Sequence, residues 1–126
     1  MGFEYPAGRL RVILSKDVRR IGGTMMREMA AILMAVQGLK REDIRYWVLH
    51  SAGRRVIDRA RALLDLSEEQ VAHSRSVLRC YGNMSSATIL FVLEETLRAE
   101  APVPGDWALM IGLGPGFAAE GALLRW

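Results

Sequence analysis

Cysteine occurs once in the 126 residues, as Cys80. A single thiol excludes an internal disulfide framework and a zinc cluster of cysteines, and it fits a reducing cytoplasm. Lysine is nearly absent: Lys16 and Lys40 are the only two, and arginine supplies the rest of the seventeen basic residues. That bias carries no functional reading. Long apolar runs are missing too. No stretch approaches the roughly 20 apolar residues needed to span a bilayer, and residues 1–11 hold no run of signal-peptide length. A soluble, cytoplasmic protein without a membrane partner is expected. Seventeen basic residues against fourteen acidic ones give a net charge of +3, scattered without runs, so a nucleic-acid partner is not called for. Repeats, low-complexity tracts and linkers are also lacking, and the length is that of one domain, residues 1–126.

Apolar residues, by contrast, are abundant. They make up 51% of the chain and the mean hydropathy is +0.12, which is rich for a domain whose size leaves much surface in water. Some of that apolar surface is expected to face a partner.

The pattern alternates strands and helices. Leu10, Val12 and Leu14 alternate with Arg11 and Ile13 as in a short strand, and Asp17 can cap the helix that follows. Val18, Ile21, Met25, Met29, Ile32, Leu33 and Val36 then recur at helical spacing, with Gly22 and Gly23 weakening the first turns. Residues 46–49 read as a buried strand that stops at His50-Ser51-Ala52-Gly53. A helix carrying Val56, Ile57, Ala60, Leu63 and Leu64 on one face comes next. Ser67 with Gln70 forms a capping box for another, ending near residues 80–82. Residues 87–93 have strand-like composition, yet they run without a turn into Glu94, Glu95 and Arg98, so they read as a helix capped by Ser85 or Ser86. A helix apolar nearly all round belongs inside something larger. Residues 107–112 and 118–126 read as two strands joined by the turn Gly112-Leu113-Gly114-Pro115-Gly116. The fold class is α/β with a mixed sheet.

His50 falls just after a strand, at the end where α/β proteins usually bind ligands. A histidine there is as often a hydrogen-bonded structural residue as a catalytic one. Asn83 is presented in a turn before a helix N-terminus, which favours negative charge; equally, Asn83 and Ser85 read as plain turn and cap residues. Spacing alone favours the plain reading.

Taken together, Tyr81-Gly82-Asn83-Met84-Ser85-Ser86-Ala87, the apolar helix after it and Gly112-Leu113-Gly114-Pro115-Gly116 resemble the C-terminal domain of type III polyketide synthases, the chalcone and stilbene synthase family. The setting of His50 and the helix after Asp17 match in order and spacing. The resemblance implies the C-terminal half of a thiolase-like fold, in which the apolar helix 86–97 lies in a central layer of two buried helices. It also implies an acyltransferase that loads a starter acyl group from coenzyme A onto a cysteine and extends it by decarboxylating condensation with malonyl-CoA. His50 and Asn83 would be the catalytic His and Asn of a Cys-His-Asn triad, and Gly112, Leu113, Gly114, Pro115 and Gly116 the loop shaping the product cavity. Gly53 and Ser85 would join the substrate-binding residues. No metal and no cofactor beyond the coenzyme A thioester substrates is implied, and Arg54 or Arg55 could reach a coenzyme A phosphate.

Three departures stand out. The family's histidine is followed by Pro-Gly-Gly, where this chain has Ser51-Ala52-Gly53. Leu113 replaces the aromatic of the Gly-rich loop. The nucleophilic cysteine belongs to the family's N-terminal half; Cys80, three residues from Asn83, reads instead as a small buried residue. This chain alone is therefore expected to be inactive, and to pair with a cysteine-bearing N-terminal half or with another copy of itself. The alternatives are the related ketoacyl synthase that initiates fatty-acid synthesis, and a non-catalytic remnant or assembly module. The former usually has Thr-Ser-Ala-Ala in place of Met84-Ser85-Ser86-Ala87, and a Gly-Gly-Gly turn in place of Gly114-Pro115-Gly116.

Overall fold

The computed structural model describes residues 2–13 and 17–126. In chain order the elements are β1 (Gly2–Glu4), β2 (Arg11–Ile13), α1 (Val18–Gln37), β3 (Ile44–Leu49), α2 (Arg54–Leu64), α3 (Ala72–Tyr81), α4 (Ala87–Glu100), β4 (Trp107–Gly114) and β5 (Ala118–Arg125). β1 and β2 pair as an antiparallel hairpin of their own. The strand expected over residues 10–14 is thus β2, partnered by a strand the sequence pattern did not announce, and Leu14 lies outside the described residues. The main sheet has the order β3-β4-β5, parallel between β3 and β4 and antiparallel between β4 and β5. It is the mixed sheet expected.

Side chains alternate across a strand, and the register turns that alternation into two cores. Trp47 pairs with Leu109 and Leu49 with Ile111; all four join Met26 and Ala30 of α1 and Val56, Ile57, Ala60 and Leu64 of α2 in one buried cluster. Val48 pairs with Met110 and faces the other way, packing with Val77 of α3 and Val92, Ile89 and Leu93 of α4. The sheet is therefore sandwiched, α1 and α2 on one face and α3 and α4 on the other. β3 is covered on both faces, which is why it reads as a continuous apolar run instead of an alternating one.

Gly22 and Gly23 do more than loosen α1. A Cβ at Gly23 would sit 2.5 Å from Arg59 Cγ and 3.1 Å from the Ala60 backbone nitrogen, so the absence of a side chain lets α1 and α2 approach backbone to backbone. The Ser67–Gln70 capping box is present: Gln70 N–H donates to Ser67 Oγ at 3.2 Å and Ser67 N–H to Gln70 Oε1 at 3.0 Å. It opens a short 3₁₀ turn, Glu69–Val71, which then runs into α3. Arg75 ties α3 back to Asp58 of α2 at 2.7 Å, and to Glu68 at 2.9 Å. His73 lies between Glu95 and Glu100 of α4.

α4 is a helix, as its length and charge pattern predict, but its burial is one-sided. Thr88, Val92 and Thr96, four residues apart, face the sheet and are buried. Leu90 is 60% exposed and Phe91 40%, with Leu97 exposed beside them. Nor does Ser85 or Ser86 cap it through its side chain. Ser86 holds the cap position without a side-chain bond, and the Met84 N–H donates instead to Oγ1 of Thr88, the second residue of the helix, at 2.7 Å.

Replacing Gly23 by alanine tests the close approach. Alanine favours an exposed helix over glycine by about 1 kcal/mol, whereas overpacking a tight contact costs about 1–3 kcal/mol. Gly23→Ala is expected to lower stability on balance, read as a lower urea midpoint; a raised midpoint would mean that α1 and α2 have room to spare.

Candidate active site

The site begins where β3 ends. The His50 N–H donates to the Ile111 carbonyl at 2.9 Å, extending the ladder by one residue, and the Ala52 N–H turns back onto the His50 carbonyl at 2.9 Å. That three-residue turn, with Ser51 at its centre, stops the strand. The Gly53 carbonyl then accepts the N–H groups of Val56 and Ile57, which starts α2. Arg54 and Arg55 follow, both exposed. His50 itself is only 3% exposed. Burial disfavours the charged imidazolium and holds its pKa below the ordinary 6.5, so His50 is neutral at physiological pH.

Asn83 comes from the connection between α3 and α4. Gly82, at φ 72°, closes α3 with its N–H on the Leu78 carbonyl at 3.0 Å. Asn83 Oδ1 then accepts the Ser85 N–H at 2.9 Å, an Asx turn of the kind its residue type favours. The Thr88 hydroxyl also donates to Asn83 Oδ1, at 3.4 Å, while accepting the Met84 N–H. The amide oxygen is committed to the turn, and the NH₂ half is the part of the side chain left to serve a ligand. Thr88, fully buried, was not singled out in the sequence; the signal was a hydroxyl at the start of an otherwise apolar helical run.

Topology brings these parts to one end of the sheet. Leu49 and Ile111 are partners in parallel strands, so His50, where β3 stops, lies beside Gly112, while β4 runs on with β5 to Gly114. α4 runs against β3: Thr96 and Glu100 near its C-terminus line a cavity with Arg45 and Tyr46 at the start of the strand, while Met84 and Ile89 pack on the cluster around Val48. The Asn83 turn therefore lies at the His50 end. That cavity, about 220 Å³, is at the opposite end and is lined by none of the candidate site residues. His50 and Asn83 are not presented alike, since Asn83 and Ser85 are exposed.

The Gly-rich segment differs from its expected form. Gly112, Leu113 and Gly114 are still strand, paired with Glu120, Ala119 and Ala118, so the turn is confined to residues 115–117, with Gly116 at φ 125°. Leu113 packs against the main core; its Cδ1 lies 3.2 Å from where a Cβ on Gly22 would be, beside Val56 and Phe117. The loop is thus seated on α1. Cys80 is exposed, not buried, because it falls near the end of α3 on the side turned from the sheet. No helix among the described residues is long and apolar enough to cross a membrane.

Comparison with known proteins agrees with this architecture. Residues 34–126 match the family described as 3-oxoacyl-[acyl-carrier-protein] synthase III C terminal. A 3,5-dihydroxyphenylacetyl-CoA synthase of Amycolatopsis balhimycina is 36% identical over 118 residues, which are 94% of this chain and 32% of the relative. A 1,3,6,8-tetrahydroxynaphthalene synthase of Streptomyces peucetius subsp. caesius is 32% identical over the whole chain and 33% of its own length. A crystal structure of PKS-I from the brown alga Ectocarpus siliculosus superposes with a TM-score of 0.86 at 32% identity, covering 98% of this chain and 34% of that one. The chain belongs to the 3-oxoacyl-[acyl-carrier-protein] synthase III C-terminal family, within its type III polyketide synthase branch, and has the thiolase-like fold of that group. It spans about a third of the length of these relatives.

The buried neutral imidazole has a thermodynamic signature. Between 6.5 and the lowered native pKa, the unfolded chain binds more protons than the folded one, so stability falls as pH drops through that window. His50→Gln is expected to flatten this part of the stability-against-pH curve, measured by denaturant titration at a series of pH values. An unchanged slope would show that His50 titrates alike in both states.

Proposed function

We propose that this chain supplies the His-Asn part of a malonyl-CoA-dependent condensing site, and that the complete enzyme is an acyltransferase performing iterative decarboxylating Claisen condensations onto a starter acyl group. The observation that carries the reading is the convergence of a buried His50, the Asn83 turn and Gly112 of β4 at one end of the sheet. The names of the relatives support polyketide synthesis over initiation of fatty-acid synthesis, while the matched family is described by a 3-oxoacyl-[acyl-carrier-protein] synthase.

The demanding step is loss of CO₂ from malonyl-CoA. The C–C bond to the carboxylate breaks, its electron pair moves onto the thioester, and the oxygen becomes an enolate. Donors already aimed at that oxygen lower the barrier, above all where water is scarce. The Asn83 NH₂ group is such a donor and stays neutral at all working pH values. A neutral His50 supplies a second N–H. The enolate carbon then attacks the acyl-cysteine thioester, forming a C–C bond and expelling the thiolate; the product is a β-ketoacyl-CoA lengthened by two carbons. His50 facing that thiolate would lower its pKa. Gly53, Ser85, Gly112, Leu113, Gly114, Pro115 and Gly116 border this end and would contact the thioester and the growing chain, with Leu113 setting the wall of the cavity from its seat on α1.

The cysteine is to come from a segment other than this one, on a longer polypeptide or on a separate chain, because Cys80 sits on the α3 segment that carries Asn83. The exposed flank of α4 is the surface suited to receive that partner, or a second copy of this chain. Burial of apolar area is worth about 25 cal/mol per Å², so covering a few hundred Å² stabilises an assembly by several kcal/mol before association costs.

Two measurements test the reading. The purified chain, supplied with malonyl-CoA and starter acyl-CoA thioesters, is expected to form no polyketide; product formation would show that a residue of this chain serves as the nucleophile. In an assembly containing the cysteine, Asn83→Ala is expected to slow CO₂ release by about 10²–10³-fold while sparing acylation of the cysteine, followed by mass spectrometry. Equal losses in both steps would make Asn83 a structural residue.

The surface assignment is tested by sedimentation over a dilution series. Self-association, or tight docking of the cysteine-bearing half, is expected, and Leu90→Glu with Phe91→Glu should abolish it. A monomer at micromolar concentration that neither docks nor binds a hydrophobic dye would place the partner surface elsewhere.

A further inference from the structure

Two serines next to the site are buried completely, Ser51 and Ser74. Buried hydroxyls are costly unless bonded, and these two are bonded in a reciprocal pattern. Ser51 Oγ donates to the Ser74 carbonyl at 2.6 Å, and Ser74 Oγ donates to the Leu49 carbonyl at 2.9 Å. Each serine thus reaches across to the backbone of the other's segment, and the two bonds lock the start of α3 onto the end of β3. Leu49 and Ser51 flank His50. With the His50 N–H on Ile111 and the His50 carbonyl held by Ala52, the backbone is fixed at three consecutive residues.

The location matters because a strand end normally frays. β3 is an edge strand in the order β3-β4-β5, so carbonyls on its outer side have no neighbouring strand to pair with. The Ser74 hydroxyl takes the place of that neighbour at Leu49. Ser51 stands where the resembling family has proline, which fixes φ through its ring; here a hydrogen bond does the fastening.

We infer that Ser51 and Ser74 are positioning residues for His50, setting the imidazole by clamping the backbone on both sides of it, and that through α3 the same clamp sets the Asn83 turn relative to His50. The inference rests on the reading of His50 as a catalytic residue only for its consequence in rate; the clamp itself is a property of this chain.

The test is made first on the purified chain, without activity. The His50 ring is followed by NMR through a pH titration, with His73→Gln used to assign the two histidines. In Ser51→Ala and in Ser74→Ala the His50 pKa is expected to rise toward 6.5 as the site loosens, and the double variant to add little to the larger single effect, because the two bonds act as one device. Thr96→Val, which removes another buried hydroxyl at the far end of α4, should leave the titration alone. Should either alanine variant fail to fold, hydrogen exchange of the unaltered chain decides: the His50 and Ala52 amides are expected to be as protected as that of Val48. Rapid exchange at those amides, or an unmoved His50 titration in both alanine variants, would overturn the clamp. In an assembly with the cysteine, Ser51→Ala should lower kcat at least tenfold with KM little changed. A displaced His50 with full activity would instead remove His50 from the chemistry and leave the clamp standing.

Discussion

The parallel pairing of β3 with β4 is the constraint on which the other elements depend. Parallel neighbours cannot be joined by a tight turn; the chain must travel the length of the sheet and return. Between His50 and β4 the path lays α2 on one face, passes round the edge of β3, and lays α3 and α4 on the other. Both faces of β3 are thereby filled, and its carbonyl end becomes the place where three connections meet: the start of α2, the α3–α4 turn, and the run-out of β4. A site at that end follows from connectivity before any side chain is chosen, which is why unrelated chemistries share such a location. What this chain adds are particular residues there, the neutral imidazole of His50, the amide of Asn83 and the serine pair behind them.

Much of this was legible in the sequence where the signal was local. The buried strand ending at His50, the apolar face of α2, the Ser67–Gln70 box and the helical character of residues 87–93 depend on spacing and capping, which one segment carries by itself. The errors share a cause, since they depend on which segments meet. Gly22 and Gly23 read as weak helix residues because nothing nearby in sequence announces Arg59 and Ala60. Ser85 or Ser86 was expected as the cap of α4, yet Thr88 from inside the helix takes the Met84 N–H, a choice fixed by the turn at Asn83. Cys80 is a small apolar residue that statistics bury, and the rotation of α3 exposes it. Gly112, Leu113 and Gly114 read as a loop through their glycines, but β5 pairs with all three. The resemblance named His50 and Asn83; only the fold places Ser51, Ser74 and Thr88 beside them.

The apolar excess of the composition also finds its place. α4 buries two threonines and a valine against the sheet and turns Leu90, Phe91 and Leu97 outward. A helix built for solvent would have the opposite arrangement, with the hydroxyls outside. The buried threonines are tolerable because their hydroxyls are bonded, Thr88 to the Asn83 turn and Thr96 to the Val92 carbonyl at 2.7 Å. Freed from supplying the sheet-facing contact, the larger side chains gather on the outer flank, next to Tyr81, whose ring meets Phe91 edge-on with centroids 5.1 Å apart. Such a flank suits the central helical layer of the thiolase-like fold.

The electrostatic character of the β3 end is consistent with the proposed chemistry. The charged clusters lie elsewhere: Arg75 with Asp58 and Glu68 at the α2–α3 seam, and His73 with Glu95 and Glu100 toward the opposite end of α4. Beside the buried His50 the described polar groups are serine and threonine hydroxyls, one amide and backbone N–H groups, and the cations at the start of α2, Arg54 and Arg55, are exposed to solvent. A fixed cation there would bind the carboxylate of a malonyl group as well as the enolate that follows, and so hold the ground state back as firmly as it draws the transition state forward. Neutral dipoles discriminate better. They attract a full carboxylate only modestly in competition with water, and act most strongly once charge has moved onto the one oxygen they face. Burial keeps His50 on the neutral side of this distinction. The same burial makes its orientation depend on the backbone that carries it, since a desolvated ring has no water to compensate for misplacement. A site that relied on neutral donors would therefore need a stiff strand end, and the bonds that Ser51 and Ser74 make on either side of His50 fasten that end.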